Sequence, residues 1–177
     1  YPYPPSKLAI LVFKKSKQLQ VYTQEKSQWH YLTRFPVLAA SGHRGPKLRR
    51  GDHQVPEGIY TLISLNPLSN YELSMELSYP NSFDVYWAKK TGRTNLGDDI
   101  FIHGGDRSIG CVAIGDDAIQ KLYPLVAKVG IHNVTVIIAP NDLRRQPAII
   151  DRHAPSWLPE LYAELSSALK AFPLSVA

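Results

Sequence analysis

Tyr71-Glu72-Leu73-Ser74-Met75-Glu76-Leu77-Ser78 alternates apolar with polar residues without a break. Successive side chains of a strand point to opposite faces, so this stretch predicts a strand with one face buried and one wet, paired antiparallel. Working outward, Gly58 to Leu65 is a second strand. Lys7 to Phe13 and Gln18 to Thr23 are runs of branched and aromatic residues separated by Lys14-Lys15-Ser16-Lys17, the pattern of a hairpin. Trp29 to Ala40 continues in that style, with Pro36 marking an edge or a bulge. A Gly-, Pro- and Arg-rich loop follows from Ser41 to Pro56.

Downstream, Tyr79 to Asp99 is rich in Pro, Asn, Gly and Asp and reads as a long, functional loop. Ile100 to His103 and Val134 to Ala139 read as short buried strands. Asp116 or Asp117 caps a predicted helix that runs to Val129 before Gly130, with a kink expected at Pro124. Leu158, Leu161, Leu165 and Leu169 recur at helical spacing and predict a C-terminal helix over about 156–172. The expected architecture is mostly β, a β-sandwich or partly closed barrel, with a few peripheral α-helices, in one domain over 1–177.

Composition narrows the function classes. At 177 residues, 44% hydrophobic and 20% charged, the chain has the make-up of a globular protein, and it has no apolar run of spanning length. It opens at Tyr1 and its only methionine is Met75, so a segment upstream is expected. Residues 1–50 carry ten Lys and Arg against one acid, densest in His43-Arg44-Gly45-Pro46-Lys47-Leu48-Arg49-Arg50. That run reads as a solvated basic loop or as a patch for an anionic polymer. It lacks aromatic RNA-binding motifs, zinc-finger spacing and a basic helix, so no nucleic-acid partner is expected.

The chemistry lies in Phe101-Ile102-His103-Gly104-Gly105-Asp106-Arg107-Ser108-Ile109-Gly110-Cys111-Val112-Ala113. A histidine ends a strand, a Gly-rich turn follows, and the lone cysteine comes after it. Thiolate chemistry needs a base near the sulfur, and His103 is the nearest candidate. The amides of Gly110 and Cys111 are candidates for an oxyanion hole. Cys111 between Gly110 and Val112 also reads as a small buried hydrophobe. His103 and Cys111 supply only two ligands, and Asp106, Asp116 and Asp117 stand in turn or cap positions, so no metal is expected. Ser108 has no Gly-x-Ser-x-Gly elbow around it.

Ile102-His103-Gly104 followed by Ser108-Ile109-Gly110-Cys111 resembles the signature of the L,D-transpeptidase catalytic domain, or YkuD, family. Gly45-Pro46-Lys47, Gly51-Asp52 and Val55-Pro56-Glu57-Gly58-Ile59-Tyr60 are similar to that family's Pro-x-Gly-x-Tyr region, and the resemblance covers about Lys7 to Ile138. Family members carry a longer insert within the motif and an Arg two positions after the cysteine, where this chain has Ala113. Ser78-Tyr79-Pro80-Asn81 and the Gly-Cys-x-Ala-x-x-Asp form, with Asp116, look more like the YafK-like branch, which includes enzymes that cut rather than join.

The resemblance implies a cofactor-free enzyme of the periplasm or cell envelope acting on peptidoglycan stem peptides. Cys111 would be the nucleophile, His103 the base, a backbone carbonyl such as that of Gly104 the orienter of the imidazole, and Gly110 part of the oxyanion site. Ser108, Arg107, Tyr79 and Asn81 are the expected substrate contacts. Resolution of the thioester by water gives a carboxypeptidase or endopeptidase. An amine instead gives a transpeptidase that forms cross-links or attaches a protein to peptidoglycan. A non-catalytic binder of cell wall or another anionic polymer is the third alternative.

Overall fold

The computed structural model describes residues 3–69 and 72–174. Nine strands form one sheet: β1 (Lys7–Phe13), β2 (Gln18–Glu25), β3 (Gln28–Pro36), β4 (Ala39–Ala40), β5 (Gly58–Ser69), β6 (Glu72–Leu77), β7 (Phe101–His103), β8 (Val112–Ala113) and β9 (Val134–Ala139). Their order is β3-β2-β1-β9-β5-β6-β7-β8-β4. Of the two predicted architectures it is therefore the half-barrel, a continuous curved sheet, flanked by three helices: α1 (Ser82–Thr91), α2 (Asp116–Val129) and α3 (Leu158–Leu169).

The predicted hairpin is present, with both strands starting as expected and Phe13 opposite Gln18. Pro36 ends β3, an edge strand where its missing N–H costs no ladder bond. β1 pairs antiparallel with β2 and parallel with β9, which explains its unbroken apolar run. Both of its faces are covered. Leu8, Ile10 and Val12 join α2 residues Ile119, Leu122 and Val126 in one core. Ala9, Leu11 and Phe13 face the α3 residues Leu158, Leu161, Leu165 and Leu169 in the other. β6 pairs antiparallel with β5 and β7, as its alternation requires, although Ser74 on its polar register is also buried because β7 covers it. Tyr71, the first residue of that predicted strand, lies outside the described residues.

Two local expectations are corrected. The predicted loop from Tyr79 to Asp99 contains α1, held by a capping box in which Asp84 N donates to Asn81 Oδ1 and Asn81 N donates to Asp84 Oδ2. Gly115, not Asp116 or Asp117, stands at the N-cap of α2, because Asp116 Oδ1 turns back to accept the Gly105 amide at 2.9 Å. The helix runs through Pro124 to Val129 as expected, with Pro124 on its exposed side. The C-terminal helix is Leu158–Leu169, followed by turn bonds to Phe172.

Candidate active site

β7 and β8 run parallel, with Ile102 opposite Val112 and His103 opposite Ala113. Extending that register one pair sets Cys111 beside Phe101, and the Phe101 amide donates to Cys111 Sγ at 3.4 Å. Since alternate residues share a face, His103 and Cys111 lie on the same face of this pair. The turn connects the end of β7 to the start of β8, so Cys111 lies two register steps from the level of His103.

His103 is 2% exposed, and its Nδ1 lies 2.5 Å from the Gly104 carbonyl oxygen. A carbonyl only accepts, so Nδ1 carries the proton and Nε2 the lone pair of the neutral ring. Burial lowers the histidine's pKa, against a smaller opposite effect of Gly104. Cys111 is also buried, and its thiol donates to the Asp99 carbonyl at 3.7 Å. Burial pushes this thiol up; the Phe101 amide and the Lys47 charge pull the other way. Both shifts favour the neutral forms, thiol and imidazole, over a thiolate–imidazolium pair.

The turn that presents the cysteine is held by two hydroxyls. Ser108 Oγ accepts the Cys111 amide at 3.2 Å and donates to the Cys111 carbonyl. The Gly110 amide, at φ +84, donates to Ser41 Oγ at 2.6 Å. Ser41 is there because β4 pairs antiparallel with β8, Ala39 with Ala113 and Ala40 with Val112, so the next pair brings Ser41 to Cys111. Neither amide named as an oxyanion donor is without a partner. The hydroxyl of Ser108, expected to contact substrate, is committed to the turn, while Ile109 at its crest is 72% exposed.

The remaining expected contacts disperse. Arg107 is exposed on the Gly-rich turn. Tyr79 is buried and its hydroxyl donates to the Leu96 carbonyl at 2.9 Å. Asn81 caps α1 and donates from Nδ2 to the Ile59 carbonyl. Trp87 stacks on Trp157 rather than facing the cysteine, with ring centroids 6.2 Å apart. The basic run is less basic at its surface than its sequence suggests: Lys47 is 7% exposed and pairs with Asp52 at 2.6 Å, and Arg50 pairs with Asp98 at 2.9 Å. Arg44, Arg49 and Arg50 are all exposed, Arg50 with its charge paired at the surface. Among the described residues no three His, Cys, Asp or Glu side chains come together as a metal site.

Sequence reasoning missed Ser41, Gln54 and Glu57. Gln54 Nε2 donates to the carbonyls of His43 and Gly45, and its Oε1 accepts the His43 amide. Asp52 accepts from Lys47 and from the amides of Leu48, Arg49 and Gln54; together these outweigh burial and hold its carboxyl below the ordinary range. The segment from Ser41 to Glu57 is thus a cross-braced wall beside the cysteine turn.

A half-barrel sheet that sets a histidine and a cysteine on one face of a parallel strand pair defines a class. Residues 7–138 match the model of the L,D-transpeptidase catalytic domain, YkuD, and the chain belongs to that family. It is 29% identical over 172 residues to YafK of Escherichia coli (strain K12), an L,D-transpeptidase-like protein, covering 94% of this chain and 67% of that one. Bd1075 of Bdellovibrio bacteriovorus superposes with a TM-score of 0.56 at 25% identity over 96% of this chain, which spans 58% of the Bd1075 chain. Pgp2 of Campylobacter jejuni, described as a helical cell shape determining protein, shares the fold with a TM-score of 0.61 at 20% identity, over 94% of this chain and 70% of its own.

Proposed function

We propose that the protein is a cysteine-dependent L,D-peptidase that cuts peptidoglycan stem peptides through a Cys111 thioester resolved by water. The observation that carries this reading is the 2.5 Å contact of His103 Nδ1 with the Gly104 carbonyl, which leaves the Nε2 lone pair as the base on the face that also bears Cys111. Membership of the L,D-transpeptidase domain family supports peptidoglycan as the substrate and the cell envelope as the place of action. The short turn and Ala113, in the form of the YafK-like branch, favour cutting over joining.

Cys111 Sγ attacks the carbonyl of the third stem residue, and His103 Nε2 takes the thiol proton. That proton passes to the departing amine as the carbon–nitrogen bond breaks, leaving a thioester. Water then attacks, giving one proton to His103. The carbon–sulfur bond breaks, the stem product leaves as a carboxylic acid that gives its remaining proton to solvent, and the proton on His103 returns to the sulfur. A carbonyl oxygen stabilised by the Gly110 and Cys111 amides would share them with the Ser41 and Ser108 hydroxyls, and such a donor contributes roughly 3 kcal/mol in comparable sites.

The test is mass spectrometry of defined tetrapeptide muropeptides, and of their cross-linked dimers, incubated with the protein and with Cys111→Ala. Loss of the terminal residue with uptake of water, in the unsubstituted protein alone, is the expected result. A dimer joined through the third residue would replace hydrolysis with transpeptidation. Equal behaviour of the two proteins on every substrate would leave a binder.

A further inference from the structure

We propose that Ser41 is a positioning residue of this site, the bolt that fixes the cysteine turn against the Ser41-to-Glu57 wall; this rests on Cys111 being the nucleophile. Its hydroxyl accepts the Gly110 amide at 2.6 Å and donates to the His53 carbonyl at 2.7 Å. Its own amide donates to Ser108 Oγ at 3.1 Å, and Ser108 Oγ holds both the amide and the carbonyl of Cys111. One unbroken chain of hydrogen bonds therefore runs from the wall through Ser41 to the nucleophile's own peptide groups. The far end of that chain is stiff. Gln54 bridges His43 and Gly45, and an added Cβ on Gly42, next to Ser41, would lie 2.0 Å from Gln54 Oε1.

A bolt of this kind acts on placement more than on stability. Ser41 is half-buried, so water can replace its hydroxyl at Gly110 and His53 when it is removed, and the fold loses little. The cysteine turn loses the Gly110 tie to the Ser41 hydroxyl and keeps only the one from the Ser41 amide to Ser108 Oγ. Catalysis is sensitive to displacements of about 1 Å, which cost on the order of a hundredfold. Substrate held by other parts of the surface would still bind.

The experiment compares Ser41→Ala and Ser41→Thr on muropeptides and, without substrate, by iodoacetamide labelling of Cys111 and amide exchange at Gly110. Ser41→Ala is expected to lower kcat about tenfold or more with KM changed less than twofold. It should also alter the alkylation rate and speed Gly110 exchange. Ser41→Thr, which keeps the hydroxyl, should recover most of the loss. Ser41→Ala with an unchanged or higher kcat and unchanged exchange would overturn the proposal while leaving Cys111 chemistry intact. If Cys111→Ala itself has no effect on turnover, the functional reading fails, and the proposal falls with it. Should Ser41→Ala not fold, the unsubstituted protein decides: Gly110 protected like the core strands supports the bolt, and Gly110 exchanging at the rate of exposed amides overturns it.

Discussion

Tyr162 on α3 donates its hydroxyl to Glu57 Oε1 at 2.6 Å, joining two segments 105 residues apart. The other oxygen of Glu57 accepts the Gly45 amide at 2.8 Å and pairs with Lys14 at 3.2 Å. Lys14 in turn donates to the carbonyls of His43, Gly45 and Val55. The C-terminal helix, the end of β1 and the wall of the cysteine site thus meet on one buried carboxylate, with both ionic side chains almost fully enclosed.

Breaking that junction on one side leaves a buried charge uncompensated. Burial already pushes the Lys14 pKa down, with Glu57 opposing it. Glu57→Ala is expected to cost about 3–5 kcal/mol, and Tyr162→Phe about 1–2 kcal/mol, read from urea unfolding midpoints. A Glu57→Ala cost below about 1 kcal/mol would mean that the pair does not hold the wall.

The cysteine site should show a wide pH plateau. Burial lowers His103, so the base stays neutral below the ordinary histidine value near 6.5 and is lost only at still lower pH. Burial raises Cys111, so its thiol ionises only above the ordinary value near 8.5. Iodoacetamide labelling should therefore rise with a midpoint above about 8.5, while muropeptide cleavage is flat through neutral pH. A labelling midpoint below 7 would instead reveal a standing thiolate–imidazolium pair.

Gly42 is the one position of the wall where any side chain collides. Its φ is +87, and the added Cβ would meet the Gln54 side chain at 2.0 Å. Gly42→Ala is expected to destabilise by about 2 kcal/mol or more, combining left-handed strain with overpacking. Thermal unfolding checks the loss, and cleavage should fall further than stability accounts for.

Asp84 makes folding stability fall with rising pH in the mildly acidic range. Burial, opposed by the Asn81 amide, the Tyr60 hydroxyl and Arg93, raises its pKa from 3.8 to about 6. Between those values the folded chain binds more protons than the unfolded one, so this group's contribution to stability falls as pH rises from about 4 to 6. The change is at most about 3 kcal/mol. Asp84→Asn should flatten that part of the stability profile; an unchanged slope in urea titrations would assign it to another group.

Local pattern located most of the sheet. Lys7–Phe13 and Val134–Ala139 are strands with the expected ends, and the hairpin register follows from the short basic turn between β1 and β2. The Ser82–Thr91 helix was illegible because it buries only Ala88 fully and so lacks an apolar stripe. It stands on its capping box and on the Trp87–Trp157 stack, whose second ring lies 70 positions away in the chain. The basic run misled for a related reason: its charge was counted without Asp52 and Asp98, which neutralise two of its cations in space.

What the sequence by itself determined is periodic or contiguous. Most of the strands, α2 and α3, and the histidine and cysteine bracketing a Gly-rich turn are written in side-chain spacing, which a short window contains. Only the tertiary structure decided that Ser41 meets Gly110 and that Glu57 meets Tyr162. It also decided that burial shifts both His103 and Cys111 toward their neutral forms. Hydrogen bonds between distant segments, and the desolvation that shifts a titration, depend on what the fold packs around a group, and its neighbours along the chain carry no trace of either.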